Sequence, residues 1–166
     1  MSDSKPCEKT ERYNNIELKM NIHIATDHAG FELKEVVKEH LSKNGYSIMD
    51  HGAYKYYALD DYPDFIFPAA KAVANDAHSR GIIFGGSGQG EAMAANRIKG
   101  IRAVVFYGGN RDIPALSRQH NNANILSIGA RFVSSKEIID VIKEWLATPF
   151  KGGRHAGRIQ KLDEET

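Results

Sequence analysis

The segment Gly85-Gly86-Ser87-Gly88-Gln89-Gly90-Glu91 carries the densest chemistry in this chain of 166 residues. Its glycines permit positive φ and let a ligand approach the backbone closely. Where such a loop runs from a strand into a helix, the amides that open the helix point outward and attract negative charge. Three familiar patterns fail here. A Walker loop needs Lys and then Ser or Thr after its last glycine, but Gly90 is followed by Glu91-Ala92. The dinucleotide fingerprint G-x-G-x-x-G has Glu91 at its last glycine position. The hydrolase elbow G-x-S-x-G fails at Gln89. What remains is an anion-binding loop with one hydroxyl, Ser87, and one carboxylate, Glu91. Amides aimed at a carbonyl oxygen stabilise an enediolate, and a positioned carboxylate can carry a proton between the neighbouring carbons. The plainer readings are a tight strand–helix turn and a glutamate favoured by the helix dipole.

Three other clusters bear reactive side chains. Asp27-His28 follows a strand pattern. The run 117–122, Ser-Arg-Gln-His-Asn-Asn, closes a helical pattern; its plain reading is helix termination, with Asn as cap and His120 against the dipole. Arg154 and Arg158, four apart in Gly-Gly-Arg-His-Ala-Gly-Arg, would share a face on a helical turn. Arginine suits bidentate phosphate contact, although a solvated basic tail is the default reading of the pair taken without the other motifs. The seven histidines form no H-E-x-x-H and no carboxylate–histidine cluster at ligand spacing, and there is no Cys pair, so neither metal nor other cofactor is expected.

Composition excludes several classes of partner. The formal net charge is +1, and basic and aromatic residues do not interleave, so nucleic acid is not an expected partner. No apolar run is long enough to span a bilayer. Residues 1–19 mix acidic and basic side chains without a hydrophobic core, and read as a polar flexible extension rather than a targeting peptide. The single cysteine, Cys7, cannot form an intramolecular disulfide and fits a reducing, cytoplasmic setting.

The elements that position these residues alternate regularly. Strands are predicted at 20–25, 46–49, 81–84, 101–107 and 125–128. Helices are predicted at 31–43, 63–75 with Pro68 as a possible kink, 91–97, 111–119 and 134–147. The last has a capping box, Ser134 with Glu137. Residues 50–62 read as a long loop. Strands alternating with helices imply a single-domain α/β/α sandwich, Rossmann-like, around a five-stranded parallel sheet. The domain spans 20–148, followed by a C-terminal tail, 149–166. Ligands of such sheets bind beyond the carboxyl ends of the strands, where each motif is expected to fall.

With these motifs in this order, the sequence resembles the ribose-5-phosphate isomerase B family, which includes galactose- and allose-6-phosphate isomerases. The matching segments are IATDHAGFELK, LDDYPDF, GGSGQGEAMAANR, GIRAVV, LSRQHNNANILSIGAR and KGGRHAGR. The resemblance implies interconversion of D-ribose 5-phosphate and D-ribulose 5-phosphate through a cis-enediolate. The alternatives are another phosphosugar of four or six carbons, or a non-catalytic sugar-phosphate-binding protein. It further implies that Asp27 and His120 assist ring opening and that Ser87 bonds the reacting oxygens. The amides of Gly86, Gly88, Gln89 and Gly90 would form the anion hole. Tyr62 and Asn121 would line the sugar site, and His28, Arg131, Arg154 and Arg158 would hold the phosphate. Many members place a cysteine base at the position of Gly85. A second subgroup is similar to this chain, with glycine there and Glu91 as the base. Glu91 is expected to stay ionised well below neutral pH, the helix N-terminus favouring its charge and burial opposing it. The family's homodimers or dimers of dimers imply interface sites, with the tail and the His120 segment meeting across a subunit boundary.

Overall fold

The computed structural model describes residues 20–165; the extension 1–19, with Cys7, lies outside them. Strand β1 (Asn21–Thr26) leads through a 3-10 turn (His28–Gly30) into helix α1 (Phe31–Lys43) and strand β2 (Ser47–Asp50). Next come α2 (Pro63–Ala74), β3 (Arg80–Gly85), α3 (Gln89–Ala95), β4 (Ala103–Phe106), α4 (Asp112–Asn121), β5 (Ile125–Gly129), α5 (Ser135–Ala147) and α6 (Arg154–Glu164). All strand pairs are parallel, in the order β2-β1-β3-β5-β4. The expected α/β/α sandwich is what the chain forms.

Both faces of the sheet are buried, so its central strands are apolar on both sides. Ile22, Ile24, Phe84, Leu126 and Ile128 face α1 and α5, where Val37, Leu41, Val141 and Trp145 complete one core. Ala25, Ile83 and Ile125 face the other layer, where Ile66 and Val73 of α2 and Ala94 and Ala95 of α3 complete a second. Helix α4 joins the first layer, its Ser117 oxygen accepting from Trp145 Nε1 at 3.3 Å. The Ser134 hydroxyl accepts from the Glu137 amide and caps α5 as expected. Helix α2 continues through Pro68, which is exposed.

Four boundaries differ in ways that matter. Helix α3 begins at Gln89, earlier than expected, because Gly88 takes a left-handed φ of 76° and closes the turn. Glu91 is thereby drawn into the first helical turn. Helix α4 runs on to Asn121, and Asn122 at φ 46° stops it. Strand β4 is shorter than expected, since Ile101 instead bonds back to the Ile98 carbonyl. The segment read as a tail contains α6, held to the body by the Arg102–Asp163 ion pair at 3.4 Å.

The loop after β2 is tied to the end of β1. Thr26 N donates to Gly52 O, and Ala53 N to Thr26 O, both at 2.8 Å. Lys34, fully buried, bonds both Asp50 carboxylate oxygens and the Ala53 carbonyl. This loop delivers Asp60 and Tyr62 to the carboxyl end of the sheet.

Candidate active site

Strand order reverses between β1 and β3, where a doubly wound sheet opens its crevice. Asp27 follows β1; its Oδ1 accepts from Ala29 N at 2.9 Å and caps the 3-10 turn. Glu91 follows β3 and is only 5% exposed. Its carboxyl group fills the space beside Gly85: a Cβ there would lie 2.0 Å from Glu91 Cδ. A side chain at position 85 and a carboxylate at position 91 therefore compete for one volume. Burial raises the Glu91 pKa; its own backbone amide opposes the shift and the Asp27 charge adds to it. Burial thus outweighs the backbone hydrogen bond in setting the direction of the shift.

The glycine loop is gripped from β5. Ala130 N and Arg131 N donate to the Gly85 and Gly86 carbonyls at 2.8 and 3.2 Å, and Ser127 Oγ donates to Gly88 O at 2.6 Å. Amides that open a helix have no acceptor within it, so that of Gly90 is suited to an anion, while the Glu91 amide serves its own carboxylate. Ser87 is exposed, and its hydroxyl accepts from Gln89 N at 3.4 Å. Two flanking side chains explain two further glycines. A Cβ on Gly86 would lie 3.3 Å from the Arg131 guanidinium carbon, and one on Gly90 would lie 3.0 Å from the Tyr62 hydroxyl.

His28 belongs to the same end of the sheet. Its Nδ1 lies 2.8 Å from Asp60 Oδ1 and 3.9 Å from Asp27 Oδ2, and its ring meets Tyr56 edge-on. The three ligand atoms of Asp27, His28 and Asp60 lie within 4.8 Å of one another, the one such set among the described residues. This corrects the expectation of no carboxylate–histidine cluster: Asp60 stands 32 residues from His28 and is joined to it by the fold alone. Two carboxylates and an imidazole could hold a divalent cation. Here the His28 N–H lies between the carboxylates in the role of donor.

His120 and Asn121 lie elsewhere. They sit in the last turn of α4, which returns the chain to the amino end of β5. A strand rises about 3.3 Å per residue, so roughly 15 Å of sheet separates them from the glycine loop. The rule that places ligands at carboxyl ends does not cover them. His120 stacks on His155 of α6, with centroids 4.5 Å apart and planes 12° from parallel. Lys151 N donates to Gln119 O at 3.0 Å. Arg154 and Arg158 are exposed on the same helix. Desolvation, with His120 and the charges of Arg154, Arg158 and Lys151, lowers the His155 pKa. The sequence-derived site thus divides. Asp27, His28, Tyr62, the glycine loop, Glu91 and Arg131 form one group, and His120, Asn121, Arg154 and Arg158 the other. The tail and the His120 segment meet within one chain, not across a boundary as expected, and the four phosphate-directed side chains do not converge in one chain.

Known proteins resemble this chain in sequence and fold over most of their length. A probable ribose-5-phosphate isomerase B of Mycoplasma genitalium is 41% identical over 146 residues, covering 87% of this chain and 95% of the relative. Ribose-5-phosphate isomerase B of Mycobacterium tuberculosis is 40% identical over 146 residues, covering 87% of this chain and 89% of the relative. The crystal structure of the Mycoplasma genitalium enzyme with bound ribulose-5-phosphate superposes with a TM-score of 0.84 at 40% identity, covering 88% of this chain and 95% of that one. The enzyme from Clostridium thermocellum gives 0.83 at 41% identity, covering 88% and 97%. The family model described as Ribose/Galactose Isomerase matches residues 22–162, and the chain belongs to that family.

Proposed function

We propose that the chain interconverts D-ribose 5-phosphate and D-ribulose 5-phosphate by proton transfer through a cis-enediolate, with Glu91 as the base. One observation carries the assignment of the base. The Glu91 carboxyl group is buried beneath the glycine loop, in the volume that a residue 85 side chain would otherwise occupy. A carboxylate whose pKa is raised by burial is a stronger base toward a carbon acid than an exposed one. Glu91 takes the proton from C2 and returns it to C1. Negative charge moves onto the C1 oxygen, where Ser87 and the amides of Gly86 to Gly90 receive it; the C2 hydroxyl proton passes to that oxygen, so that protonation at C1 leaves the carbonyl on C2. Asp27 and His120 serve ring opening, one accepting the anomeric hydroxyl proton and the other donating to the ring oxygen. Tyr62 and Asn121 line the sugar, and His28, Arg131, Arg154 and Arg158 hold the phosphate. The route involves no redox step and no Lewis acid, and asks for no cofactor.

These roles require both groups of residues at one sugar. Two chains related by a two-fold axis can supply them reciprocally, the commonest closed arrangement. We therefore read the protein as a homodimer, or a dimer of dimers, with interface sites. Among the described residues no helix is long and apolar enough to cross a membrane; a cytoplasmic setting rests on the single cysteine. Turnover of ribose, allose, galactose and erythrose phosphates tests the substrate: the highest kcat/KM is expected for ribose 5-phosphate, and a six-carbon preference would overturn that choice.

A further inference from the structure

Asp60 is costly to the fold and serves one neighbour. Its side chain is only 9% exposed. Oδ1 accepts twice from His28, from the backbone N at 2.9 Å and from Nδ1 at 2.8 Å. Oδ2 is buried with no hydrogen-bond partner. A buried carboxylate oxygen without a donor has given up its hydration for nothing in return. Stability alone would favour an apolar residue here.

What the carboxylate achieves is the placement of His28. It accepts only, so the shared proton resides on His28 Nδ1, and Nε2 is left for another partner. The second bond, to the His28 backbone amide, fixes the main chain from which the ring projects. Tyr56, with its ring edge-on at 6.2 Å, limits rotation from another side. The His28 ring is the more open member of the pair, at 26% exposure.

We propose that Asp60 is a positioning residue. It sets the tautomer and ring orientation with which His28 Nε2 meets the substrate phosphate. The inference rests on the reading of His28 as a phosphate ligand.

The test uses the full chain with Asp60→Ala, Asp60→Asn and His28→Ala. The readouts are kcat, KM, inhibition by inorganic phosphate, and the 15N resonances of the histidine side chains. Asp60→Ala should raise KM and the phosphate inhibition constant roughly ten- to hundredfold, the scale of a lost charge-assisted hydrogen bond. Its kcat should stay within a few-fold of the original, and the His28 Nδ1–H tautomer should no longer dominate. Asp60→Asn retains an acceptor oxygen and should restore most of the affinity and the tautomer. A folded Asp60→Ala protein with unchanged KM and phosphate inhibition, alongside a His28→Ala protein that loses both, would overturn the positioning role. If His28→Ala itself binds phosphate normally, the reading of His28 falls and the proposal falls with it.

Discussion

The two ends of the sheet solve different problems. At the carboxyl end Glu91 is buried and its raised pKa follows mainly from desolvation. The glycines around it are fixed by what they touch: Gly85 by the Glu91 carboxyl, Gly86 by Arg131, Gly90 by Tyr62. At the amino end His120 lies in a shallow stack with His155, beside the exposed Arg154 and Arg158. Proton abstraction from carbon needs a desolvated base in a rigid frame. Capture of a phosphate dianion needs cationic or N–H donors within reach of it. In the proposed site these are divided, with His28 and Arg131 beside Glu91 and the exposed Arg154 and Arg158 on α6 at the other end.

Breaking the buried end should have the largest effect. Glu91→Gln should lower kcat by roughly 10²–10⁴-fold, the scale of a lost general base, with KM changed less. Gly85→Ala should act similarly, because its methyl group would claim the space of the Glu91 carboxyl. Near-normal kcat in Glu91→Gln removes Glu91 from the mechanism; near-normal kcat in Gly85→Ala would show that the carboxyl group shifts aside without loss. The two variants separate on stability. A carboxyl whose folded pKa is raised weakens the fold once pH exceeds that pKa, and the effect vanishes below the unfolded value. Glu91→Gln should thus have a Tm at neutral pH no lower than the unaltered protein, whereas Gly85→Ala, overpacked, should have a lower one.

Mixing tests whether the two ends meet between chains. Glu91→Gln and His120→Ala proteins should each be nearly inactive. If each site draws one group from each of two chains, unfolding and refolding them together yields mixed dimers with one intact site. Random pairing predicts recovery to about a quarter of the original activity. No recovery above the separate proteins would place both groups in the same chain. Arg158→Ala, on the exposed side, should raise KM several-fold with a smaller loss of kcat, since a solvated contact to phosphate contributes mainly to binding.

The pH profile reads the buried end more finely. Glu91 works as the base only when ionised, so kcat should fall as pH drops through its folded-state pKa. Because that pKa is raised, the fall should begin at a higher pH than for an exposed glutamate, whose reference value is about 4.3. Glu91→Asp, with a shorter side chain, should move the limb as well as lower its height. A limb unmoved by that change belongs to another group.

The sequence made the buried end legible for local reasons. Strand alternation, the Ser134 cap and the glycine run are signals within a few residues, and Glu91 stands in the same run as the loop it serves. The Asp60–His28 pair was not legible, because only the return of the 51–62 loop to β1 brings the two together. Helix α6 was hidden by its composition. It buries no side chain fully, has glycine at its N-cap, and is held by contacts to α4 and Arg102 that no periodicity announces. The division of the site was partly implicit. A helix joining two parallel strands must end at their amino ends, so the last turn of α4 is set apart from the glycine loop by topology alone.

The smallest expected effects come from reagents aimed at chemistry that the proposed route does not use. With Gly85 where a thiolate base would stand, and Cys7 as the chain's single thiol, iodoacetamide should leave kcat unchanged, as should Cys7→Ser. Chelation probes the carboxyl end from another direction. Asp27, His28 and Asp60 offer three ligand atoms within 4.8 Å, so a tightly held divalent ion is a geometric option there. In the proposed route through Glu91 those groups act as ring-opening residue, phosphate ligand and positioning acceptor, and an ion among them would compete with the His28 Nδ1–H bond to Asp60. Exhaustive chelation should therefore leave activity intact, and added divalent ions should inhibit if they act at all. Loss on chelation, restored by one specific ion and abolished by Asp60→Ala, would make the cluster a metal centre and overturn the cofactor-free route.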